Sequence, residues 1–131
     1  MAQHHAFGRL SMARMSGVDL MLRELAHVVI KHVPFDLTVP SMGGFRTAEE
    51  QYRLYVKGVS RADGSPGSMS KHQTGEAIDL VPYVDGKAVW DEHLCTTLAA
   101  YMFFYAQEMD IRIYWGGFFN WARDCAHFEL R

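Results

Sequence analysis

Cysteine is scarce in this chain of 131 residues, which has two, Cys95 and Cys125, and no Cys-x-x-Cys pair. A closed, all-thiolate structural metal site is thereby excluded. In a reducing compartment the two are expected as free thiols and not as a bridge. Cys125, flanked by Asp124 and Ala126, reads as a small buried filler and not as a nucleophile. Basic charge is also lacking: the formal charge is −2, and no run of five or more lysines and arginines occurs. A nucleic-acid binder working through a basic face is therefore not expected. No uninterrupted apolar run is long enough to span a bilayer, and Met1-Ala2-Gln3-His4-His5-Ala6 lacks the positive flank and apolar core of a secretory signal. Internal repeats, low-complexity tracts and interdomain linkers are missing too. The expectation is one soluble domain, made in the cytoplasm, with no stable membrane association.

What is present is an ordinary globular balance, 49% apolar and 21% charged. A chain of this length can bury roughly two thirds of the surface its unfolded form exposes. Val18, Met21, Leu22, Leu25 and Val29 recur at helical spacing and predict a helix from about Val18 to His32, with Ser16 as its cap and His27 and His32 on its surface. Leu37 to Met42 has strand character, ended by the Gly43-Gly44 turn. Thr47-Ala48-Glu49-Glu50 is a capping box and starts a second helix, ending near Gly58. Ser60 to Ser70, rich in Gly and Ser and containing Pro66, reads as a mobile loop.

Ala77 to Val81 alternates and is bounded by Pro82, which predicts a strand. Asp85-Gly86 is the strongest hairpin signal in the chain. Asp91 caps a third helix, about Glu92 to Met109, apolar nearly all the way round and so expected at the centre. Ile111 to Trp115 and Ala126 to Leu130 complete the strands. The order predicts an α+β domain: about three helices against a small antiparallel sheet.

His72, Asp79 and His127 carry the chemistry. Two imidazoles and one carboxylate form a catalytic zinc donor set, which leaves one position for water and lowers that water's pKa toward roughly 7. Asp124, three residues before His127, supplies a further carboxylate. It could move protons as general base or orient a ligand histidine without touching water. Arg46 offers a fixed cation for an anionic intermediate or a substrate carboxylate, or pairs on the surface with Glu49 or Glu50. Ser70 is either a substrate contact or a loop hydrogen bond. Trp115 is expected as core packing beside the site, with Gly116 and Gly117 letting the chain pass closely.

Ser70-x-His72-x-x-Gly75-x-Ala77-x-Asp79, the earlier Gly44-Phe45-Arg46-Thr47, and the later Trp115-Gly116-Gly117 with Asp124-x-x-His127-Phe128 stand in this order. Over about Val39 to Leu130 the chain resembles the zinc D-alanyl-D-alanine carboxypeptidase and L-alanyl-D-glutamate endopeptidase family, of Hedgehog/DD-peptidase-like fold. Its compact layout is similar to the bacteriophage endolysins of that family, with no separate wall-binding module.

The resemblance implies one Zn2+ held by His72, Asp79 and His127, with Asp124 as general base, Arg46 as stabiliser of substrate or transition-state oxygen, and Ser70 near the substrate. It implies the peptide stems of peptidoglycan as partner, acted on by a monomer that accumulates in the host cytoplasm and reaches the wall by a holin-type route. Phe118-Phe119-Asn120-Trp121 adds aromatic bulk beyond the family's pattern and bears on the shape of the groove. Two other readings remain: a D,D-carboxypeptidase or dipeptidase with the same chemistry, and a non-catalytic zinc module that binds peptidoglycan or protein.

Overall fold

The computed structural model describes residues 5–120 and 122–131. The expectation drawn from the Met1 to His4 start, and the Trp121 member of the aromatic run, lie outside the described residues. The elements run α1 (Arg9–Met15), α2 (Leu20–His32), β1 (Asp36–Thr38), α3 (Ala48–Val56), a 3-10 turn (Lys71–Thr74), β2 (Ala77–Asp79), β3 (Val81–Val84), β4 (Lys87–Ala88), α4 (Glu92–Glu108), β5 (Ile113–Trp115), a second 3-10 turn (Gly116–Phe118) and β6 (His127–Leu130). This is the α+β arrangement expected, with one more helix, α1.

Amphipathic spacing explains α2, whose Leu22, Leu25, Ala26, Val29 and Ile30 form one buried stripe packed on α4. The cap is Asp19, not Ser16: its carboxylate accepts from the Met21 amide, while Ser16 closes α1. A carboxylate also complements the positive end of the helix dipole. The reciprocal Thr47–Glu50 capping box starts α3 as expected, and Asp91 caps α4 through the Leu94 amide. Helix α4 is less enclosed than its composition suggests. Cys95, Leu98, Ala99, Met102 and Ala106 are buried, but Phe104 is 58% exposed.

Among the described residues, six short strands make two antiparallel sheets, β1-β3-β4 and β2-β6-β5, where one was expected. The expected strand from Ala77 to Val81 breaks at Leu80, whose amide donates to Ala126 O. Residues before the break pair with β6, and those after it pair with β1. Pro82 therefore lies inside β3, opposite Leu37, and does not bound the strand; its carbonyl accepts from Val89. The β3–β4 hairpin turns at Asp85 and Gly86, with φ of 53° and 77°, as the Asp-Gly pair predicts. The core lies between α2, α4 and the inner sheet faces, with Phe128, Ile78, Leu80, Leu98 and Met102 fully buried. Each such side chain stabilises the fold by roughly 1.5–3 kcal/mol relative to exposure.

Candidate metal centre

Strand register sets the first pair of donors. Asp79 and His127 are direct cross-strand partners in the β2–β6 ladder, so their side chains rise together from one face. His72 comes from the 3-10 turn that enters β2. Ser70 caps that turn by accepting from the His72 amide at 3.2 Å, while Gln73 reaches back to the Ser70 amide. Gly75 ends the turn at φ 76°, a conformation glycine adopts without strain.

The three donors form a tight triangle. His72 Nε2 lies 3.2 Å from Asp79 Oδ1 and 3.2 Å from His127 Nδ1, and His127 Nδ1 lies 3.4 Å from the same Asp79 oxygen. A tetrahedral divalent ion with bonds of about 2.1 Å sets its donors roughly 3.4 Å apart. Asp79 Oδ1 is buried and accepts no well-aligned hydrogen bond from the described residues. A buried carboxylate oxygen left in that state is costly unless a cation faces it. The cluster thus fits a metal ion.

Hydrogen bonds on the far side of each ring select the nitrogen that faces inward. His72 Nδ1 donates to Gly44 O at 2.8 Å, leaving the Nε2 lone pair free for a ligand bond. His127 Nε2 donates to Glu129 Oε1 at 2.8 Å, leaving Nδ1. Arg131 holds the other Glu129 oxygen at 3.0 Å. Glu129 is buried, and although burial raises its pKa, His127 and Arg131 hold it below the ordinary value. Sequence reasoning missed Glu129. Strand alternation was the available signal, because residues 127 and 129 share a face.

Electrostatics describe a site short of positive charge. Burial favours the neutral His127 ring, but the Asp79 and Glu129 carboxylates beside it outweigh it and push its pKa up to about 9. Burial also opposes the Asp79 charge, yet His72 and His127 hold that carboxyl well below the carboxylate range. Both shifts reflect carboxylates gathered around two imidazoles, which a divalent cation would balance.

Asp124, Arg46 and Ser70 line the same cavity as the triangle, with a volume of about 550 Å³. Asp124 lies in the loop before β6, where its amide donates to Gly116 O and its carbonyl accepts from His127 N. The residue is exposed at the cavity wall. Crowding by protein, with Asp79 nearby, nevertheless raises its pKa, against the pull of His127, His72 and Arg46. Arg46 is partly buried and does not form the surface pair with Glu49 or Glu50. Its Nη2 lies 3.3 Å from Asp79 Oδ2, and its Nε donates to Met42 O at 2.7 Å. Ser70 makes the loop hydrogen bond described above.

Trp115 packs in the core beside the cluster and donates to Cys125 O at 2.8 Å. Phe119 lines the cavity with its ring centroid 5.5 Å from that of His127, so the aromatic run does shape the groove. Cys125 is a free, half-buried thiol packed against the core, the filler expected, and Cys95 is free and buried.

Comparison with known proteins follows the same lines. The model of the phage L-alanyl-D-glutamate peptidase family matches residues 3–130. The L-alanyl-D-glutamate peptidase of Escherichia phage T5 is 33% identical over 86 residues, a match that covers 66% of this chain and 60% of that protein. Among solved structures, the Serratia marcescens L-Ala D-Glu endopeptidase ChiX superposes with a TM-score of 0.84 at 24% identity, over 98% of this chain and 92% of that one. The LD-carboxypeptidase LdcB superposes with a TM-score of 0.58 at 20% identity, over 90% of this chain and 67% of that one. These superpositions establish the fold, which is the Hedgehog/DD-peptidase-like fold expected.

Proposed function

Because the chain belongs to the phage L-alanyl-D-glutamate peptidase family, we propose that it is a zinc-dependent endopeptidase that cuts the L-alanyl-D-glutamate bond in the peptide stems of peptidoglycan. The observation that carries this reading is the donor triangle of His72, Asp79 and His127 opening into one cavity with Asp124 and Arg46. The nitrogen and oxygen donors and their spacing suit zinc. A zinc ion bound there supplies Lewis acidity and a water acidic enough to react near neutral pH.

The chain's own groups do the rest. Asp124 accepts the proton of the attacking water and returns it to the amine of the departing D-glutamate, so one carboxylate serves both halves of the reaction. Its raised pKa makes it a better base than an ordinary carboxylate and a competent acid afterwards. Arg46 is fixed by Met42 O and Asp79 and has further N–H donors to spare. It directs them at the scissile oxygen as negative charge develops there. Glu129 and Gly44 keep the two imidazoles in their ligand tautomers.

As a phage endolysin the protein acts as a monomer, has no nucleic-acid partner, and reaches the wall from the host cytoplasm by a holin-type route. No helix among the described residues is long and apolar enough to cross a membrane. The test is mass spectrometry of purified peptidoglycan digested by the zinc-loaded protein, with a chelator-stripped control. New N-terminal D-glutamate in the loaded sample alone is the expected product. Release of terminal D-alanine would instead make it a carboxypeptidase, and no cleavage by metal-replete protein would make it a binding module.

A further inference from the structure

Helix α3 buries one residue completely, and that residue is an amide. Gln51 is 0% exposed, where an amphipathic helix would ordinarily place leucine or methionine. Burying an amide is unfavourable unless its hydrogen bonds are made, and Gln51 makes three. Its Oε1 accepts from Arg46 Nη1 at 3.1 Å, and its Nε2 donates to Ser60 Oγ at 2.8 Å and to Ala62 O at 2.9 Å. The partners fix the amide's orientation, because a guanidinium can only donate and a carbonyl can only accept. Gly64 leaves room for it: a Cβ there would stand 3.2 Å from Gln51 Cβ and 2.9 Å from Ala48 O.

Two walls of the cavity meet at this amide. Arg46 lies on one side, against Asp79. On the other, residues 59–62 supply Val59, Ser60, Arg61 and Ala62 to the lining. Met42 O holds Arg46 Nε, and Gln51 ties the guanidinium to the wall of the cavity formed by residues 59–62.

We propose that Gln51 is a positioning residue, which sets the plane of the Arg46 guanidinium relative to Asp79 and couples it to the 60–62 wall. The proposal rests on the oxyanion role of Arg46 given above. A guanidinium freed at Nη1 can rotate about its remaining anchors. Since a misplacement of about 1 Å costs on the order of 10²-fold in rate, the loss belongs in kcat and not in metal binding.

The test is a double-mutant cycle on the zinc-loaded protein with a stem-peptide substrate. Gln51→Met, unbranched and similar in volume, is expected to lower kcat by about 10²-fold, with KM changed little and zinc content unchanged. In an Arg46→Ala background the same substitution should cost nothing further, because its route to the reaction is gone. Equal losses in both backgrounds would show that Gln51 serves only the fold and overturn the proposal. Gln51→Glu keeps the acceptor for Arg46 but sets a carboxylate against Ala62 O. It should retain most of kcat while lowering Tm, and a collapse of kcat in folded, zinc-replete Gln51→Glu would also count against the proposal. Absence of stem cleavage by wild type would remove the endopeptidase reading and the role of Gln51 with it.

Discussion

His127 Nε2 donates to Glu129 Oε1 across 2.8 Å, from two residues apart on one face of β6, so a single strand carries both a candidate ligand and the group that orients it. The bond holds the ring with Nδ1 toward His72 and Asp79. Glu129→Ala should therefore weaken zinc binding by about 10–100-fold, the usual cost of losing such a partner. Competition with a chromophoric chelator measures this. An unchanged affinity would mean that packing alone orients His127.

The metal-free protein should lose stability as pH rises across the range in which His127 gives up its proton. Its folded pKa, pushed up to about 9, lies above the unfolded value of about 6.5. The stabilisation is therefore complete below about 6.5 and lost as pH rises through about 9. Zinc must displace the same proton, so its affinity should rise over this window. Calorimetry at pH 7 in buffers of different ionisation enthalpy should register a proton released on zinc binding. Binding without proton release, at an affinity that does not vary from pH 6.5 to 9, would contradict the arrangement.

Asp124→Asn should separate chemistry from metal binding. The carboxylate lies outside the donor triangle, so zinc content should stay at the wild-type level while kcat falls by roughly 10²–10⁴-fold. If Asp124 merely oriented a ligand histidine, the same variant would lose zinc in step with activity, which metal analysis of the purified protein would reveal.

How far these features could be read in the sequence depended on how local their causes are. The Thr47–Glu50 box, the Asp91 cap and the Asp85-Gly86 turn each depend on a few neighbouring residues, and all three form as the sequence predicts. The cap of α2 went to Asp19 because Ser16 is taken up by the end of a short helix that the apolar pattern did not reveal. Alternation from Ala77 onward indicated extended chain correctly, but it carries no record of which sheet each residue joins. The break at Leu80 is set by Ala126, far along the chain. The donor triangle was legible because residue type and order mark it. Glu129 and Gln51 were not, because an ordinary glutamate or glutamine becomes informative only once its partners are in place.

Gly116 offers a sharper test of placement than any charged residue. A Cβ at this position would stand 2.3 Å from Asp124 O, 2.8 Å from His127 Cβ and 3.1 Å from Asp124 Cβ, so alanine must displace the turn that carries both side chains. Gly58, at φ 79°, has nothing within 4 Å of the same atom. Alanine there meets only backbone strain, on the order of 1 kcal/mol. Gly58→Ala is therefore expected to lower Tm and leave kcat at the wild-type value. Gly116→Ala should lower kcat by about 10²-fold or more, because it moves a candidate base and a candidate ligand together. Thermal melts and turnover on the same preparations decide the matter: wild-type turnover in Gly116→Ala would mean that Asp124 and His127 tolerate displacement, and the close approach of the chain at Gly116 would then matter to packing alone.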